Sequence, residues 1–232
     1  LKQSSLQTLN TAANGMFKTI ENQSQILIAL QNVVLCDAGI SRNLQEQDRQ
    51  ILFQNYTATF IRLKKEYNIT HFYFHLPDRV NLLRVHKKEK FGDIIDRYTM
   101  LDSFRTGKAS SGIELGTLGT FTLRVVQPVF LNNKIVGYIE FGKEIENILT
   151  DIHKKQGIEL ALSIRKNRLV RSEWENGMAM VGREVNWDQL PKKVLMYTSF
   201  EDFPEQLEHF ITDGGHEHNK ISSIIKYSDK SW

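Results

Sequence analysis

The sequence has a single cysteine, Cys36, among 232 residues. One cysteine cannot form an internal disulfide, which argues against a small, disulfide-stapled secreted domain. It does not argue against the bacterial periplasm, where many domains of this size lack disulfides. Cys36 directly follows Val33, Val34 and Leu35, so we interpret it as a small buried hydrophobic residue and not as a reactive thiol.

The sequence also lacks a run of about 18 apolar residues, so we predict no membrane-spanning helix within it. We predict no signal peptide within it, because Leu1-Lys2-Gln3-Ser4 does not have the pattern of one. It begins without methionine and stops at Lys230-Ser231-Trp232, in what looks like the middle of a strand. We interpret the chain as a piece of a longer protein.

No charge of one sign dominates: the formal net charge is +3, and basic and acidic residues alternate. Without a basic stripe, nucleic acid is a poor candidate partner. There is no nucleophile elbow, no glycine-rich phosphate loop and no metal-spaced His/Glu pair on a helix. An enzyme using His75 or His86 with Asp93 is therefore the weaker alternative, and no catalytic residue or cofactor is predicted. His216 and His218 lie in a predicted loop without another strong ligand, so no metal site is predicted.

The N-terminal region has a heptad pattern, with apolar residues at alternating steps of three and four. The series comprises Leu6, Leu9, Ala13, Met16, Ile20, Gln23, Leu27, Leu30 and Val34. It predicts a helix of about 30 residues, roughly 45 Å long. Two interpretations stay open: the stripe packs only on its own domain, or it also supports parallel self-association.

The residues after the heptad alternate between helical and strand patterns. A second helix is predicted to begin near Ser41 or Asn43 and to end at Asn68, and a third, capped by Asp93, within 87–102. Strands are predicted at 71–76, 81–86, 111–116, 121–130 and 134–141, with a turn at Asn132-Asn133. Leading helices before an antiparallel meander are the order expected of a PAS-like module. Further on, a hairpin of 158–164 with 168–172, a helix at 188–195 and a strand at 221–227 are predicted.

Strand alternation then selects candidate ligand-binding residues. On the predicted strand 71–76, Phe72 and Phe74 share one face, and Tyr73 and His75 share the other. On the next strand, Arg84 and His86 lie one pleat apart on one face. An arginine in mid-strand is rarely buried unless paired, so Arg84 or Arg124 reaches solvent, pairs with Glu114 or Glu140, or holds an anionic ligand. Aromatic residues would supply the walls of the pocket. The candidates are Arg84, His86, His75, Phe74, Tyr98, Arg124 and Glu140.

Several segments of this region resemble the double Cache sensor family, in the subtype found in bacterial sensor kinases, diguanylate cyclases and chemoreceptors. The first half of the resemblance rests on Phe74-His75-Leu76-Pro77, Leu83-Arg84-Val85-His86 and Glu89-Lys90-Phe91-Gly92-Asp93. The second half rests on three further segments. These are Ser111-Gly112-Ile113-Glu114-Leu115-Gly116, Leu123-Arg124-Val125-Val126-Gln127-Pro128-Val129-Phe130 and Val136-Gly137-Tyr138-Ile139-Glu140-Phe141-Gly142.

The resemblance implies an α+β fold with a long N-terminal helix and two PAS-like antiparallel-sheet modules, the first larger. The expected bounds are 1–45 for the stalk helix, 46–150 for a membrane-distal module and 151–232 for a membrane-proximal module that is incomplete at its C-terminus. It also favours a ligand role for Arg84 and His86, which fall within the motif.

The function implied is that of an extracytoplasmic sensor region of a bacterial cell-membrane receptor, periplasmic or extracellular. It would bind a small molecule, for which an anion is one alternative, in the distal module and pass a change in helix packing through flanking membrane helices. A homodimer through the N-terminal helix is one expectation. The alternative is a structural or dimerisation ectodomain without a small-molecule ligand.

Overall fold

The computed structural model describes residues 2–116, 120–180, 186–205, 207–208, 226–227 and 230–231. The helices are α1 (Lys2–Leu35), α2 (Gly39–Gln45), α3 (Arg49–Tyr67), α4 (Tyr98–Thr106), α5 (Ile145–Gln156) and α6 (Arg171–Met180). The strands are β1 (Ile69–His75), β2 (Asn81–Arg84), β3 (Ser110–Leu115), β4 (Phe121–Leu131), β5 (Lys134–Glu144), β6 (Ala161–Arg165), β7 (Lys193–Thr198), β8 (Lys226–Tyr227) and β9 (Lys230–Ser231).

The chain divides into two compact units. The larger unit comprises Ile20–Leu115 and Phe121–Asn147, and the smaller one comprises Leu1–Thr19, Gly116–Thr120 and Ile148–Trp232. α1 contributes residues to both units, and the domain bounds expected from the sequence stay a prediction.

The larger unit contains a five-stranded sheet in the order β2-β1-β5-β4-β3, with every neighbouring pair antiparallel. The predicted hairpin of β4 and β5 is confirmed and is longer than expected at both strands. Its turn residues Asn132 and Asn133 have φ of 49° and 62°. Asparagine adopts this left-handed region more readily than most residues, which is why the pair can close a tight hairpin.

One face of this sheet carries apolar side chains and packs against helices. The ring centroids of Phe72 and Phe141 are 4.7 Å apart, and those of Phe74 and Tyr56 of α3 are 5.4 Å apart. Burial of each such side chain stabilises the fold by about 1.5–3 kcal/mol. We call this surface the apolar face, and its members are Phe72, Phe74, Leu83, Leu123, Val125, Ile139 and Phe141.

α1 covers part of the apolar face with one stripe of its surface. The buried members of this stripe recur every three or four residues and are Ser24, Leu27, Gln31 and Val34. Leu27 and Val34 belong to the heptad series found in the sequence. That series is therefore used, at least in this part of the helix, for packing within the chain.

Amide side chains tie α1 to the sheet. Gln31 Nε2 donates to the backbone carbonyl of Val125 at 2.9 Å and lies 3.4 Å from that of Ile139. Gln23, the polar residue that interrupts the predicted heptad series, accepts a hydrogen bond of 2.8 Å from Lys143 Nζ. Gln23 therefore contributes a hydrogen bond between α1 and β5 at the position where the apolar series is interrupted.

Cys36 is exposed directly after the last residue of α1, so the prediction of a buried cysteine is wrong. The buried stripe reaches Val34, and a residue two positions further on an α-helix points to the opposite side. The apolar neighbours of Cys36 in the sequence include Val33, which is also exposed, and so they gave a misleading signal.

The connection between α1 and the sheet contains two helices where the sequence predicted one. α3 begins after Asp48, whose side chain accepts a hydrogen bond of 3.0 Å from the backbone N–H of Ile51. It ends at Asn68, which has a left-handed φ of 57° and donates to the carbonyl of Lys64. The predicted C-terminal stop at Asn68 is confirmed, whereas the predicted start at Ser41 or Asn43 lies within the separate helix α2.

The smaller unit has its own core around the antiparallel pair of β6 and β7. Trp174 of α6 is buried, and its Nε1 donates to Met196 Sδ of β7 at 3.4 Å. The buried apolar residues around it include Met178, Leu190 and Val194.

Two predictions for the smaller unit are wrong. β6 does not turn into a strand at 168–172, because Lys166–Arg168 forms a 3-10 turn and α6 follows. The predicted helix at 188–195 is instead a turn leading into β7, which pairs Val194 with Ile164. A partner 30 residues away is not encoded in the local alternation of β6. The predicted strand at 221–227 lies mostly outside the described residues.

Among the described residues, no single helix is both long and apolar enough to cross a membrane. Ala13–Leu35 passes a test of length and composition only when it is combined with α2, and the two helices are bent by 84° at their junction.

Candidate functional site: a polar face on the sheet

The face of the five-stranded sheet opposite the apolar face carries polar and charged side chains. Cross-strand pairing places Tyr73 of β1 beside Arg84 of β2 and Glu140 of β5. It likewise places Arg124 of β4 between Gly142 and Gly112. We call this surface the polar face, and its members are His71, Tyr73, His75, Arg84, His86, Glu114, Arg124 and Glu140.

Glu140 is the centre of the polar face and is fully buried. Its carboxylate accepts hydrogen bonds from Arg97 Nη2 at 2.7 and 2.8 Å, from Arg124 Nη1 at 2.6 Å and from His75 Nε2 at 2.9 Å. Burial alone would raise the pKa of Glu140, but Arg97, Arg124 and His75 together lower it well below its usual value. Glu140 is therefore a buried anion held by two guanidinium groups.

His75 is held in one tautomer by a chain of contacts that begins at Arg84. Arg84 Nη1 donates to Asn81 Oδ1 at 3.0 Å, which orients the Asn81 amide so that its Nδ2 faces His75 Nδ1 at 3.3 Å. Nδ1 is then the acceptor, and the ring proton lies on Nε2, which faces Glu140. Burial is the main cause that lowers the pKa of His75, so the ring is neutral at pH 7.

Arg84 holds the loop that follows β2. Its two terminal nitrogens each donate to a different oxygen of Asp93 at 2.7 Å, and Nη1 also donates to the carbonyl of Lys90 at 2.8 Å. This bidentate geometry is the strongest form of arginine–carboxylate pairing. Asp93 therefore does not cap a helix, as the sequence suggested, because its carboxylate is used by Arg84 and α4 begins only at Tyr98.

Glu114 joins the polar face to α4. Its Oε1 accepts a 2.7 Å hydrogen bond from the backbone N–H of Thr99, in the first turn of the helix. Its Oε2 lies 3.0 Å from Arg97 Nε and 3.6 Å from Arg124 Nε. A carboxylate at a helix N-terminus is favourable because the N–H groups there carry partial positive charge. Thr99 itself is buried, and its hydroxyl has no hydrogen-bond partner among the described residues.

His71 and His86 form an aromatic group with Tyr73 near the edge of the polar face. The ring centroids of His71 and His86 are 4.8 Å apart, and those of Tyr73 and His86 are 4.9 Å apart. The backbone N–H of Phe72 donates to His86 Nδ1 at 3.3 Å. Burial, together with the nearby cations Arg84 and Arg124, lowers the pKa of His86 to about 4. Burial and Arg124 likewise hold the pKa of His71 well below its ordinary value.

The two glycines that pair with Arg124 on the neighbouring strands, Gly142 and Gly112, are closely packed by other side chains. A Cβ added at Gly142 would lie 2.9 Å from Thr122 Cγ2 and 3.0 Å from His71 Cβ. A Cβ at Gly112 would lie 3.3 Å from Thr99 Cγ2. Neither position has a positive φ of the kind that requires glycine, so packing is the reason for glycine here.

Five of the seven residues proposed from the sequence come together on the polar face: His75, Arg84, His86, Arg124 and Glu140. The pairing of Arg124 with Glu140, and more loosely with Glu114, is one of the three alternatives that the sequence left open. Phe74 lies on the opposite, apolar face, against Tyr56. Tyr98 stands at the start of α4 with 67% of its surface exposed.

The residues that sequence reasoning missed are Arg97 and Tyr73. Arg97 lies in the extended stretch before α4, where no periodicity marks it, yet it binds both Glu140 and Glu114. Tyr73 was placed on the face of His75 but was not proposed as a site residue. Its ring centroid lies 5.3, 5.9 and 5.8 Å from the guanidinium carbons of Arg84, Arg97 and Arg124. The alternation of side chains along β1 could have identified Tyr73, because Tyr73 lies two residues before His75 and shares its face.

The described part of the chain contains no group of three or more His, Cys, Asp or Glu side chains that could hold a metal ion. His216 and His218 lie outside the described residues. A separate cleft of about 440 Å³ lies elsewhere in the larger unit, between the end of α1, α2, the turn after α4 and β4, and its walls include Leu35, Ile40, Lys108, Gln127 and Phe130.

A family model described as the double sensory domain of two-component sensor kinases, dCache_3, matches residues 2–182. The chain therefore belongs to this double Cache family, which is sensory and not catalytic. The α+β fold expected from the sequence is confirmed. Comparison with curated protein sequences gives no match.

The chain also matches solved structures of sensor and ligand-binding domains at low sequence identity. The sensor domain of DcuS from E. coli is 17% identical, with a TM-score of 0.50, over 59% of this chain and 98% of that one. The sensor domain of the histidine kinase DctB from V. cholerae is 14% identical, with a TM-score of 0.46, over 71% and 67%. The ligand-binding domain of the Campylobacter jejuni chemoreceptor Tlp3, solved with L-valine, is 15% identical, with a TM-score of 0.36, over 64% and 69%.

Proposed function

We propose that this chain is the extracytoplasmic sensor region of a bacterial transmembrane signalling receptor, and that it binds a small molecule on the polar face. Membership of a sensory family supports the general role. The observation that carries the site is the convergence of arginine, histidine and carboxylate side chains from all five strands and the start of α4 on one buried surface. Such a set can orient a small polar ligand through directional contacts.

The charges on this surface limit how an anionic ligand can bind. Arg84, Arg97 and Arg124 are each already paired with a carboxylate of the chain. An anionic ligand must therefore take the place of one of those carboxylates. The side chain of Asp93 is 44% exposed, whereas those of Glu114 and Glu140 are buried. We propose that the ligand exchanges with Asp93 at the guanidinium group of Arg84.

A thermal-shift screen with a library of small carboxylates tests this proposal. Asp93→Asn removes the internal competitor for Arg84, so an anion that stabilises the wild type should stabilise this variant more strongly. Asp96→Asn is the matched control, because Asp96 pairs with Arg79 in an exposed ion pair three residues further on. Arg84→Ala should abolish the shift, with its own unfolding temperature measured without ligand, because Arg84 also holds the loop. Equal shifts in wild type, Asp93→Asn and Arg84→Ala would contradict the proposal.

A second candidate function is a structural or dimerisation ectodomain with no small-molecule ligand. The saturation of all three arginines by carboxylates of the chain favours it, because such a network already satisfies its charges. The same screen separates the two candidates. Under the second, no compound class stabilises either the wild type or Asp93→Asn.

Signalling would require ligand affinity to differ between two arrangements of the helices around the sheet. In this proposal the larger unit is the membrane-distal module, in the periplasm or outside the cell, and helices flanking the chain cross the membrane. The receptor would act as a homodimer through α1. Its output, in a kinase, cyclase or chemoreceptor, belongs to other parts of the receptor.

A further inference from the structure

The cleft of about 440 Å³ in the larger unit lies along a length of β4 that has a partner strand on one side only. β3 begins at Ser110, opposite Val126, so within the described part of the chain Gln127 to Phe130 pair with β5 alone. This length of β4 lines the cleft, and the other walls are the end of α1, α2 and the turn after α4. The volume is in the range of pockets that bind small molecules, about 300–1,000 Å³.

Specific hydrogen bonds hold the walls of the cleft in place. The carboxylate of Asp37, between α1 and α2, accepts a hydrogen bond of 2.5 Å from the hydroxyl of Tyr56 and one of 2.8 Å from the backbone N–H of Gly39. In the turn after α4, Ser103 Oγ donates to the backbone carbonyl of Lys108 at 2.8 Å. The chain itself thus orders the walls, so a ligand would not have to pay for ordering them.

Gln127 supplies a hydrogen-bond acceptor that the chain leaves unused. Its Nε2 donates to Asn32 Oδ1 at 2.7 Å, which fixes the amide against the end of α1. Its Oε1 is buried and has no hydrogen-bond partner within the described residues. A buried acceptor without a donor is unfavourable. A ligand that brings an O–H or N–H group to this atom would therefore remove a penalty that the folded chain carries.

A cation and an apolar surface line the same cleft. The side chain of Lys108 is exposed, and its ammonium group has no ion-pair partner among the residues that the structure describes. Phe130 is 52% exposed, so its ring can take up an apolar ligand, and Ile40 is buried in the opposite wall. Asp37 is the acidic residue of the walls, and both of its oxygens already accept hydrogen bonds from the chain. The available groups are thus an acceptor, a cation and an aromatic ring.

We propose that this cleft binds a small amphiphilic acid that carries a hydroxyl or N–H donor. The donor binds Gln127 Oε1, the apolar body contacts Phe130, and the carboxylate pairs with Lys108. An extended peptide fits less well, because Pro128 lacks the N–H group that a strand added to this edge would need. The cleft shares no residue with the polar face, so the inference goes beyond the proposed function and the two can fail separately.

Fluorine NMR at Cys36 tests the inference, because this single, exposed cysteine lies between two residues of the cleft wall, Leu35 and Asp37. The purified 232-residue chain is labelled there with a trifluoromethyl group and titrated with three probes. They are 4-hydroxyphenylacetate, phenylacetate, which lacks the hydroxyl, and 4-hydroxyphenylacetamide, which lacks the charge. We expect the first to bind about tenfold more tightly than phenylacetate, through the hydrogen bond to a buried acceptor. It should bind about threefold more tightly than the amide, because the cation is exposed.

Variants of the two polar groups assign these preferences to the cleft. Gln127→Leu should abolish the preference for the hydroxyl, so that the two acids bind alike. Lys108→Gln should abolish the preference for the charge, so that the acid and the amide bind alike. Lys64→Gln is the matched control, because Lys64 is also exposed and lies on α3, outside the cleft. It should leave both preferences unchanged. Thermal unfolding followed by circular dichroism verifies that each variant is folded.

The outcomes that overturn the inference are distinct from those that overturn the proposed function. A fluorine signal that does not move, or that moves without saturating, in the millimolar range excludes a site in the cleft. A preference for the hydroxyl that survives in Gln127→Leu also overturns the inference. If Arg84→Ala abolishes the response and Gln127→Leu does not, the probes bind the polar face instead. Thermal shifts of Gln127→Leu with the carboxylate library report on the polar face alone.

Discussion

The two faces of the five-stranded sheet are made by alternate residues of the same strands, yet they are held together by different forces. On β5, Ile139 and Phe141 point to the apolar face, and Glu140 between them points to the polar face. The apolar face depends on non-directional packing against helices. The polar face depends on ion pairs and hydrogen bonds, each of which needs a particular partner at a particular angle.

This difference determines how each face responds to change. A packed surface loses stability in proportion to the volume removed, and volume-conserving exchanges cost little. A buried charge network loses much of its stability when one member is neutralised, because the remaining charges stay buried without a partner of opposite charge. The polar face is thus the more sensitive of the two faces to the loss of a single charge.

The largest expected effect separates the two faces directly. Glu140→Gln keeps the shape of the side chain but leaves Arg97 and Arg124 without their shared anion, so we expect a loss of about 3–5 kcal/mol in the free energy of unfolding. Its neighbour Ile139→Val, on the apolar face, should cost about 0.5–1.5 kcal/mol. Urea unfolding measures both, and Glu89→Gln on the exposed loop serves as a control for removing a carboxylate. Equal losses at Glu140 and Ile139 would abolish the distinction between the faces.

A smaller effect is expected from crowding the polar face. Gly142→Ala brings a Cβ within 2.9 Å of Thr122 Cγ2 and 3.0 Å of His71 Cβ. We expect a loss of about 1–3 kcal/mol, as for other overpacked positions. Gly112→Ala, whose nearest contact is 3.3 Å, should cost less. Thr122→Ser removes the offending methyl group and should partly restore Gly142→Ala; no restoration would mean that steric contact is not the cause.

The pH dependence of stability should also differ between the faces, since His71, His75 and His86 all lie on the polar face. Folding lowers the pKa of His86 from about 6.5 to about 4, so the folded state binds fewer protons than the unfolded chain within that window. The stability due to neutral His86 is complete above pH 6.5 and is lost as the pH falls towards 4. His86→Asn keeps an acceptor near the N–H of Phe72 and cannot titrate. Its unfolding free energy should therefore fall less steeply over this range than that of the wild type; parallel curves would exclude His86 as the cause.

The smallest expected effect concerns the unpaired hydroxyl of Thr99. Thr99→Val keeps the shape and removes a buried polar group that has no partner among the described residues. The free protein should become more stable, by about 1 kcal/mol, because a desolvation penalty disappears. Thr99→Ser, which keeps the hydroxyl and removes a methyl group, is the matched control and should be less stable. A loss of stability in Thr99→Val would show that the hydroxyl is already satisfied.

The sequence predicted the features that depend on local pattern. Alternation along β1 separated Phe72 and Phe74 from Tyr73 and His75, and the Asn132-Asn133 pair located the β4–β5 hairpin correctly. Which face a residue occupies follows from the pleat of the strand alone. The position of the turn follows from the tolerance of asparagine for positive φ.

The partners within the polar face were harder to predict, because they are chosen by the fold. Asp93 has the sequence signature of a helix cap, yet Arg84 lies close enough to take both of its oxygens. Arg97 lies outside any periodic segment, and only the position of α4 brings it to Glu140. The predicted hairpin of 158–164 with 168–172 is wrong for the same reason: β6 pairs with β7, and this pairing depends on residues far apart in the chain.

The contact of Gln31 with the sheet has a consequence for how the two faces of the sheet can evolve. Gln31 donates to the backbone carbonyl of Val125 and lies close to that of Ile139, and it uses no side chain of β4 or β5 for this. The neighbours of these two residues, Arg124 and Glu140, point to the other side of the sheet. Under the proposed function, mutations on the polar face would therefore change ligand recognition while the attachment of α1 to the sheet is inherited unaltered, so that new ligand specificities would arise without a change in this helix.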